Sequence, residues 1–137
     1  VRTYRGVRYY NDSIASSPSR TIAGLRSFPE KVILIAGGYD KHIPFDVLGP
    51  EICAHVKKLF LGGATGSKIR AAVEGCPEYT GQVEITDCQN FEDAVRAAAA
   101  AARSGDIVLM SPASASFDQF KNFMERGECF KNIVKEL

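Results

Sequence analysis

A short stretch of small residues, 111–116, places three hydroxyl groups between an apolar run and an amphipathic run. These hydroxyls belong to Ser111, Ser114 and Ser116. Ser116 followed by Gln119 has the pattern of a capping box, which predicts that a helix starts at Ser116. Because a helix N-terminus offers free N–H groups and a partial positive charge, the stretch could bind a carboxylate or a phosphate. Taken alone, an ordinary capped helix explains the pattern more simply.

A lysine follows a pair of glycines at the end of an earlier apolar run. Gly37 and Gly38 would let the backbone pass close to a ligand, and Lys41 stands three residues further on. Its ammonium group could pair with a carboxylate as a point charge, so Lys41 is a candidate ligand-binding residue. A solvated surface lysine is the alternative that the local pattern leaves open.

A third polar segment, 10–18, lies near the start of the chain. Asp12 stands in a turn-forming Asn-Asp-Ser triplet, and Ser16 follows it. Pro18, which suits the first turn of a helix, predicts that a helix starts here. The carboxylate of Asp12 and the hydroxyl of Ser16 are candidates for ligand contacts, although a plain turn explains the triplet by itself.

Apolar runs that suit strands alternate with amphipathic runs that suit helices along the chain. Strands are predicted at 1–5 and 7–10, which flank Gly6 as a hairpin, and at 31–36, 56–61, 82–85 and 106–110. Helices are predicted from Pro18, over 44–55 with a break at Gly49-Pro50, over 65–74, and from a cap at Asn90 through the alanine run to Arg103. One or two further helices are predicted from Ser116 to the end of the chain. This alternation predicts an α/β fold: a three-layer, Rossmann-like, mainly parallel sheet with helices on both faces, plus an N-terminal β-hairpin.

The polar segments are predicted to meet at one edge of that sheet. In an open α/β sheet, ligands bind beyond the carboxyl ends of the strands. Gly37–Lys41, Gly62–Thr65 and Ser111–Ser116 all follow predicted strands. Asp12–Ser17 joins them if the second hairpin strand runs parallel to its neighbour. The sequence therefore predicts one binding site made of hydroxyls, helix N-termini and a lysine.

Composition limits the function classes. The 137 residues suffice for one domain with a sizeable core. A net charge of +1 with dispersed basic residues gives no field for nucleic acid or an anionic membrane. No apolar run approaches the ~20 residues of a membrane span. The four cysteines form no C-x-x-C pair, which predicts no metal site and fits a reducing cytoplasm.

Familiar catalytic motifs are missing from the sequence. The segment Gly62–Lys68 resembles a phosphate loop at first sight, but the Walker pattern requires Gly, four residues and then Gly-Lys-Ser/Thr. Here Ser67 precedes the lysine and Ile69 follows it. Neither G-x-S-x-G nor H-E-x-x-H occurs. We therefore expect no catalytic residues in this chain and a role in recognition.

Taken together, the segments 10–18, 36–41 and 111–127 resemble, in this order and at these separations, the C-terminal domain of the Mur ligase family. The last segment is most similar to the branch of the family that adds D-glutamate to the bacterial peptidoglycan precursor. The resemblance covers essentially the whole chain. It implies that 1–137 is the amino-acid-binding domain, and that UDP-binding and ATP-binding domains lie upstream, outside this chain.

The resemblance also implies roles for individual residues. It places Asp12 in contact with the nucleotide and Ser16 in contact with the amino-acid substrate. It assigns Lys41 to a carboxylate of that substrate, and Ser116 and Phe123 to the side-chain carboxylate of D-glutamate. Helical spacing favours a largely buried Phe123 in either case. Position 14 is isoleucine where some relatives have lysine, so no role is carried over to it.

The reaction that the resemblance implies uses ATP and Mg²⁺ to form an acyl phosphate on the L-alanine carboxylate of UDP-N-acetylmuramoyl-L-alanine. The amine of D-glutamate then attacks that acyl phosphate. We therefore expect an ATP-dependent ligase of the bacterial cytoplasm, in which this domain alone is inactive and binds no cofactor by itself. Two alternatives stay open: a relative that adds another amino acid, and a stand-alone α/β module that binds a small molecule.

Overall fold

The computed structural model describes residues 2–13, 15–38, 44–114, 120 and 122–136. Strands and helices alternate in the order β1 Arg2–Tyr4, β2 Val7–Asn11, α1 Pro18–Arg26, β3 Val32–Ala36, α2 Leu48–His55, β4 Val56–Leu61, α3 Gly66–Glu74, β5 Glu84–Asp87, α4 Phe91–Ala101, β6 Ile107–Met110 and α5 Phe123–Lys135. Within these described ranges, no helix is both long and apolar enough to cross a membrane.

Six strands form one sheet in the order β1-β2-β6-β3-β4-β5. β1 and β2 pair antiparallel, and every other neighbouring pair is parallel. The hairpin turns at Arg5 and Gly6, whose φ angles of 52° and 80° are both positive, as the favoured two-residue hairpin turn requires. The predicted α/β fold with a mainly parallel sheet and an N-terminal hairpin is confirmed.

Alternate residues of the central strands face two separate cores. In β3, Leu34 and Ala36 belong to a cluster with side chains from α1, α2 and α3. Ile33 and Ile35 belong to a second cluster, with side chains from α4 and α5. Because successive strand residues point to opposite faces, a strand that is buried throughout shows helices on both sides of the sheet. The predicted three-layer architecture is confirmed.

Helix α4 packs on the sheet through a buried face that combines Phe91 and Val95 with two alanines. Ala94 and Ala98 are buried within the second cluster. Asn90 caps the helix, since its side-chain oxygen accepts a hydrogen bond from the Asp93 N–H at 2.8 Å. The predicted cap at Asn90 is confirmed.

The predicted break at Gly49-Pro50 is wrong, because both residues lie in the first turn of α2. A Cβ at Gly49 would stand 2.3 Å from the carbonyl oxygen of Ala72, so glycine allows α2 to pack against α3. Pro50 is tolerated because the first N–H groups of a helix have no partner within it. α2 ends at His55 and β4 begins at Val56, with no residue between them.

The strand predicted at 82–85 lies two residues further along, at Glu84–Asp87. Its position is set by pairing with β4, in which Leu59 lies opposite Ile85. Gln82 stays outside the strand because its side-chain amide donates to the Glu78 carbonyl oxygen at 2.9 Å. A local hydrogen bond of this kind competes with the sheet ladder.

The last helix is capped by a residue that the sequence analysis did not single out. α5 begins at Phe123, and Asn122 before it is extended, with φ −161° and ψ 174°. The Asn122 side-chain oxygen accepts a hydrogen bond from the Glu125 N–H at 2.9 Å, which makes Asn122 the N-cap. Of the one or two helices predicted between Ser116 and the end of the chain, the structure describes α5, which begins at Phe123. The capping box predicted at Ser116 lies outside the described residues.

Candidate functional site

The carboxyl ends of β2, β6, β3 and β4 meet at one edge of the sheet, which we call the carboxyl edge. The segments that follow these strands are joined by backbone hydrogen bonds of 2.8–3.0 Å: Asp12 N–H to Met110 O, Ala113 N–H to Ala15 O, Gly37 N–H to Pro112 O and Thr65 N–H to Gly38 O. β2 runs parallel to β6. The loop that follows β2, which carries Asp12 and Ser16, therefore lies at this edge as well. The structure thus brings the described parts of the predicted segments together.

Asp12 is held in place by a buried hydroxyl group, whose own residue is held by α1. Ser111 Oγ donates to Asp12 Oδ2 at 2.8 Å, and Thr21 Oγ1 in α1 donates to the Ser111 carbonyl oxygen at 3.2 Å. Ser111 and Thr21 are fully buried, whereas Asp12 is partly exposed. A Cβ at Gly24 would lie 2.8 Å from Asp12 Oδ2, so glycine leaves room for the carboxylate. Asp12 is therefore a fixed acid at the carboxyl edge.

Thr65 connects the segments that follow three strands. Its Oγ1 accepts a hydrogen bond from the Gly38 N–H at 2.9 Å and lies 2.8 Å from Ser114 Oγ. Thr65 and Ser114 are both buried. The hydroxyl of the turn between β4 and α3 therefore holds the neighbouring loops together.

Ser16 is half-buried beside a buried arginine that the sequence analysis did not single out. Arg126 in α5 is 1% exposed, and its Nη2 lies 3.5 Å from Ser16 Oγ. The same guanidinium donates to the carbonyl oxygen of Ser13 at 2.6 Å and to that of Ser114 at 2.8 Å. A permanent positive charge thus lies beneath the loop that carries Ser16.

A signal for Arg126 exists in the sequence. Arg126, Phe130 and Ile133 recur at intervals of four and three residues, and all three are buried in α5. They therefore share one face of the helix. A charged residue in an apolar stripe needs hydrogen-bonding partners, because burying a charge without them is costly. That requirement marks Arg126 as a residue with a specific polar environment.

Phe123 is more exposed than expected. It is 39% exposed and Met124 is 62% exposed, because α5 begins at Phe123 and its buried face starts only at Arg126. The Phe123 carbonyl oxygen accepts a hydrogen bond from Ser13 Oγ at 2.6 Å. Phe123 lines an open surface pocket of about 320 Å³, and Lys131 lines the same pocket. The expectation of a largely buried Phe123 is wrong, and the ring is available at the surface.

Two of the predicted substrate-binding residues, Lys41 and Ser116, lie outside the described residues. Their roles therefore stay predictions. Ile14, for which no role was expected, also lies outside them. The residues placed at the carboxyl edge are Asp12, Ser16 and Phe123.

The cysteines of this chain are free thiols. Cys53 Sγ lies 3.5 Å from Cys76 Sγ, and burial, with help from the contact to Cys76, raises the pKa of Cys53 to about 11. A thiol with such a pKa is almost entirely protonated at neutral pH and is a poor nucleophile. In the part of the chain that the structure describes, no cluster of three or more His, Cys, Asp or Glu side chains could hold a metal ion.

A second cavity of about 510 Å³ lies away from the carboxyl edge, between the hairpin and α4. Its lining includes Arg5 at the hairpin turn, Ser104 before β6, and Arg96. Arg96 Nε lies 3.6 Å from a Glu92 carboxylate oxygen, and its Nη2 lies 3.4 Å from a Glu136 carboxylate oxygen. The residues that line this cavity are therefore separate from the loops at the carboxyl edge.

Comparison with known proteins identifies relatives of the chain. A family model described as "Mur ligase, glutamate ligase domain" matches residues 1–114. Two similar curated proteins, from Acetivibrio thermocellus and Clostridium beijerinckii, are both named UDP-N-acetylmuramoylalanine–D-glutamate ligase. They are 56% identical over 140 residues and 54% identical over 138 residues, respectively. Each match covers 100% of this chain and 30% of the relative, so the chain spans less than a third of their length.

A solved structure shares the fold at low sequence identity. It is a domain from a Haemophilus ducreyi protein described as a UDP-N-acetylmuramate:L-alanyl-gamma-D-glutamyl-diaminopimelate ligase. The TM-score is 0.60 with 10% identity, over 99% of this chain and 92% of that domain. At this identity the likeness supports the α/β fold alone.

Proposed function

Since the chain belongs to the Mur ligase family, we propose that it is the C-terminal domain of a UDP-N-acetylmuramoyl-L-alanine:D-glutamate ligase. Its part is to bind D-glutamate for ATP-dependent amide bond formation in peptidoglycan precursor synthesis. The observation that carries this proposal is the identity of 56% and 54%, over the whole chain, to two proteins with that ligase name.

The remaining parts of the reaction belong to a longer protein of the bacterial cytoplasm in this proposal. The chain covers 30% of its relatives, which leaves room for the UDP-binding and ATP-binding domains. ATP with Mg²⁺ supplies the phosphoryl group that activates the L-alanine carboxylate. The sequence offers no Walker pattern to hold the phosphates. In this proposal Asp12, whose carboxylate is held at the carboxyl edge by Ser111, completes the nucleotide site.

The role of this domain is to hold the amino acid for attack. In the proposal, Lys41 and Ser116 bind carboxylates of D-glutamate, and Ser16 and Phe123 complete the site. The fixed positions of Ser16 and of the first turn of α5 support it, because both lie at the edge where the loops are joined. Holding the two reactants in the right geometry can supply several kcal/mol of the reduction in the barrier.

The proposal is tested in the full-length enzyme that contains this chain. Phosphate release is measured with UDP-N-acetylmuramoyl-L-alanine, ATP and Mg²⁺, and with D-glutamate, L-glutamate, L-lysine or diaminopimelate as the added amino acid. We expect turnover with D-glutamate alone, and none from the isolated 137-residue chain. Turnover that requires a different amino acid would show that the domain belongs to another branch of the family.

A pair of serine variants tests the site itself. In the full-length enzyme, Ser116→Ala should raise the KM for D-glutamate about tenfold or more, because it removes a hydrogen bond to a charged group. Ser114→Ala is the matched control. Its hydroxyl lies 2.8 Å from Thr65 Oγ1, so this variant should lose stability and keep its KM. Equal KM values in the two variants would place the carboxylate elsewhere.

A further inference from the structure

Arg126 is the one buried charged side chain in the part of the chain that the structure describes. It is also among the largest side chains that are fully buried there. Burying a guanidinium costs free energy that hydrogen bonds must offset, and well-packed apolar residues at such places are often equally stabilising or more so. Its burial therefore suggests a task that an apolar side chain could not perform.

The contacts of Arg126 reach two loops that are far apart in sequence. Nε donates to Ser13 Oγ at 3.0 Å, and Nη2 donates to the Ser13 carbonyl oxygen at 2.6 Å. Nη1 donates to the Ser114 carbonyl oxygen at 2.8 Å. The first two bonds hold the loop after β2, and the third holds the loop after β6. The planar fork of an arginine can bind all these acceptors at once, as a lysine ammonium on its flexible stem cannot.

Ser13 links the same group to a third segment. Its Oγ accepts from Arg126 and donates to the Phe123 carbonyl oxygen at 2.6 Å. Arg126 and Ser13 together therefore fix the loop after β2, the loop after β6 and the first turn of α5 relative to one another. Ser16 lies on the loop after β2, and Phe123 lies in the first turn of α5. In the sequence, Ser116 follows Ser114 by two positions.

We propose that Arg126 is a positioning residue, which holds these three segments in the arrangement that binds the amino-acid substrate. This inference rests on the proposed function. Arg126 acts through the residues it positions and does not itself contact the substrate. It should therefore govern binding of the amino acid and leave binding of the UDP-sugar substrate unchanged.

The test uses Arg126→Lys in the full-length enzyme, with separate KM values for D-glutamate, ATP and UDP-N-acetylmuramoyl-L-alanine, together with a thermal melt. We expect the KM for D-glutamate to rise about tenfold, since bonds from a charged donor are lost, and the KM for the UDP-sugar to stay within about twofold. Arg96→Lys is the matched control, because Arg96 lies on the exposed face of α4. It should change none of the three KM values.

A second variant, Ser13→Ala, keeps the inference testable if Arg126→Lys does not fold. It removes the bond to Phe123 and one acceptor of Arg126, so the KM for D-glutamate should rise about threefold with the same selectivity. A lower melting temperature with an unchanged KM for D-glutamate would show a purely structural role. Equal rises in all three KM values would do the same. A wild-type enzyme that does not use D-glutamate would overturn the proposed function, and this inference with it.

Discussion

The two ends of the parallel strands are held together by different chemistry. At the carboxyl edge, the described part of the chain buries six polar or charged side chains that lie on the loops or bond to them: Ser13, Thr21, Thr65, Ser111, Ser114 and Arg126. Each has a partner, since within the described residues no buried polar side-chain atom is left without one. Buried polar groups that are fully paired hold a single arrangement.

The amino ends of the strands are held by more exposed groups. Lys57 in β4 donates to a carboxylate oxygen of Asp106 before β6, and the Lys57 side chain is 41% exposed. Asp106 also accepts from the Arg103 N–H at 2.9 Å. The Gly105 N–H donates to the Gly6 carbonyl oxygen at 2.9 Å. This end closes the core with a partly exposed ion pair and turns.

The two ends of the strands should differ in how much a substitution destabilises the fold. Solvated pairs contribute modestly to stability because water and salt screen them. A buried hydrogen bond adds little more to stability than an exposed one. Removing one of its partners, however, leaves the other partner desolvated and without a hydrogen bond. Substitutions at the carboxyl edge should therefore cost more than comparable substitutions at the amino end, and the cost should follow burial rather than the edge itself.

The largest effect is expected for Thr65→Val. The change keeps the shape of the side chain and leaves the buried Gly38 N–H and Ser114 hydroxyl without their partner. We expect the free energy of unfolding to fall by about 2 kcal/mol, measured by urea denaturation of the isolated chain. Thr86→Val, the same change at an exposed strand position, should stay within about 0.5 kcal/mol. Similar losses in both variants would contradict the comparison.

An intermediate effect that depends on pH is expected for Asp106→Asn. Burial alone would raise the pKa of Asp106, but the hydrogen bonds from Lys57 and the Arg103 N–H, with the charges of Lys57 and Lys58, outweigh it and hold that pKa below its usual 3.8. A lowered folded-state pKa stabilises the fold above the unfolded-state pKa, and this stabilisation disappears as the pH falls through the folded-state value.

Asp106→Asn should therefore reduce the free energy of unfolding by about 1.5 kcal/mol at pH 7. The difference from the wild type should shrink steadily as the pH is lowered below about 4. Urea denaturation at a series of pH values measures it. Asp87→Asn is the control, since Asp87 is 57% exposed in its pair with Arg70. A difference for Asp106→Asn that is independent of pH would show that the charge of Asp106 does not contribute.

The smallest effect is expected for Asn90→Ala, which separates burial from position. Asn90 follows β5, so it lies at the carboxyl end of a strand, but its capping bond to the Asp93 N–H is exposed. Loss of an N-cap should cost about 1 kcal/mol, measured by thermal unfolding, with Gln89→Ala as the control next to it. A loss as large as that of Thr65→Val would mean that the edge, and not burial, sets the cost.

The fold was predictable because its signals are local. β4 lies at its predicted bounds, 56–61, since an apolar run followed by two glycines leaves little choice. The Asn90 cap and the turn at Gly6 likewise depend only on residues nearby in sequence. The bounds of β5 were missed because pairing with β4 sets them, and that pairing is not a local property.

The candidate site was less predictable because its contacts are long-range. Arg126 and Ser13 are separated by 113 positions, so no periodicity connects them. Phe117, Phe120 and Phe123 share a helical spacing that favours a buried Phe123, but Asn122 caps α5, so Phe123 lies at the exposed start of that helix. Sequence patterns located the polar segments, whereas the bonds that join them are a property of the folded chain.

Because α2 joins β4 directly, the number of residues at this junction decides which side chains of β4 face each core. Because no residue separates His55 from Val56, an insertion there has no loop to absorb it. One added residue would turn β4 over, so that Leu59 and Phe60 exchange the two faces of the sheet. The spacing between Ile52 and Leu59 is therefore constrained as strictly as their hydrophobicity, and insertions or deletions should be tolerated in the other connections of this domain before they are tolerated here.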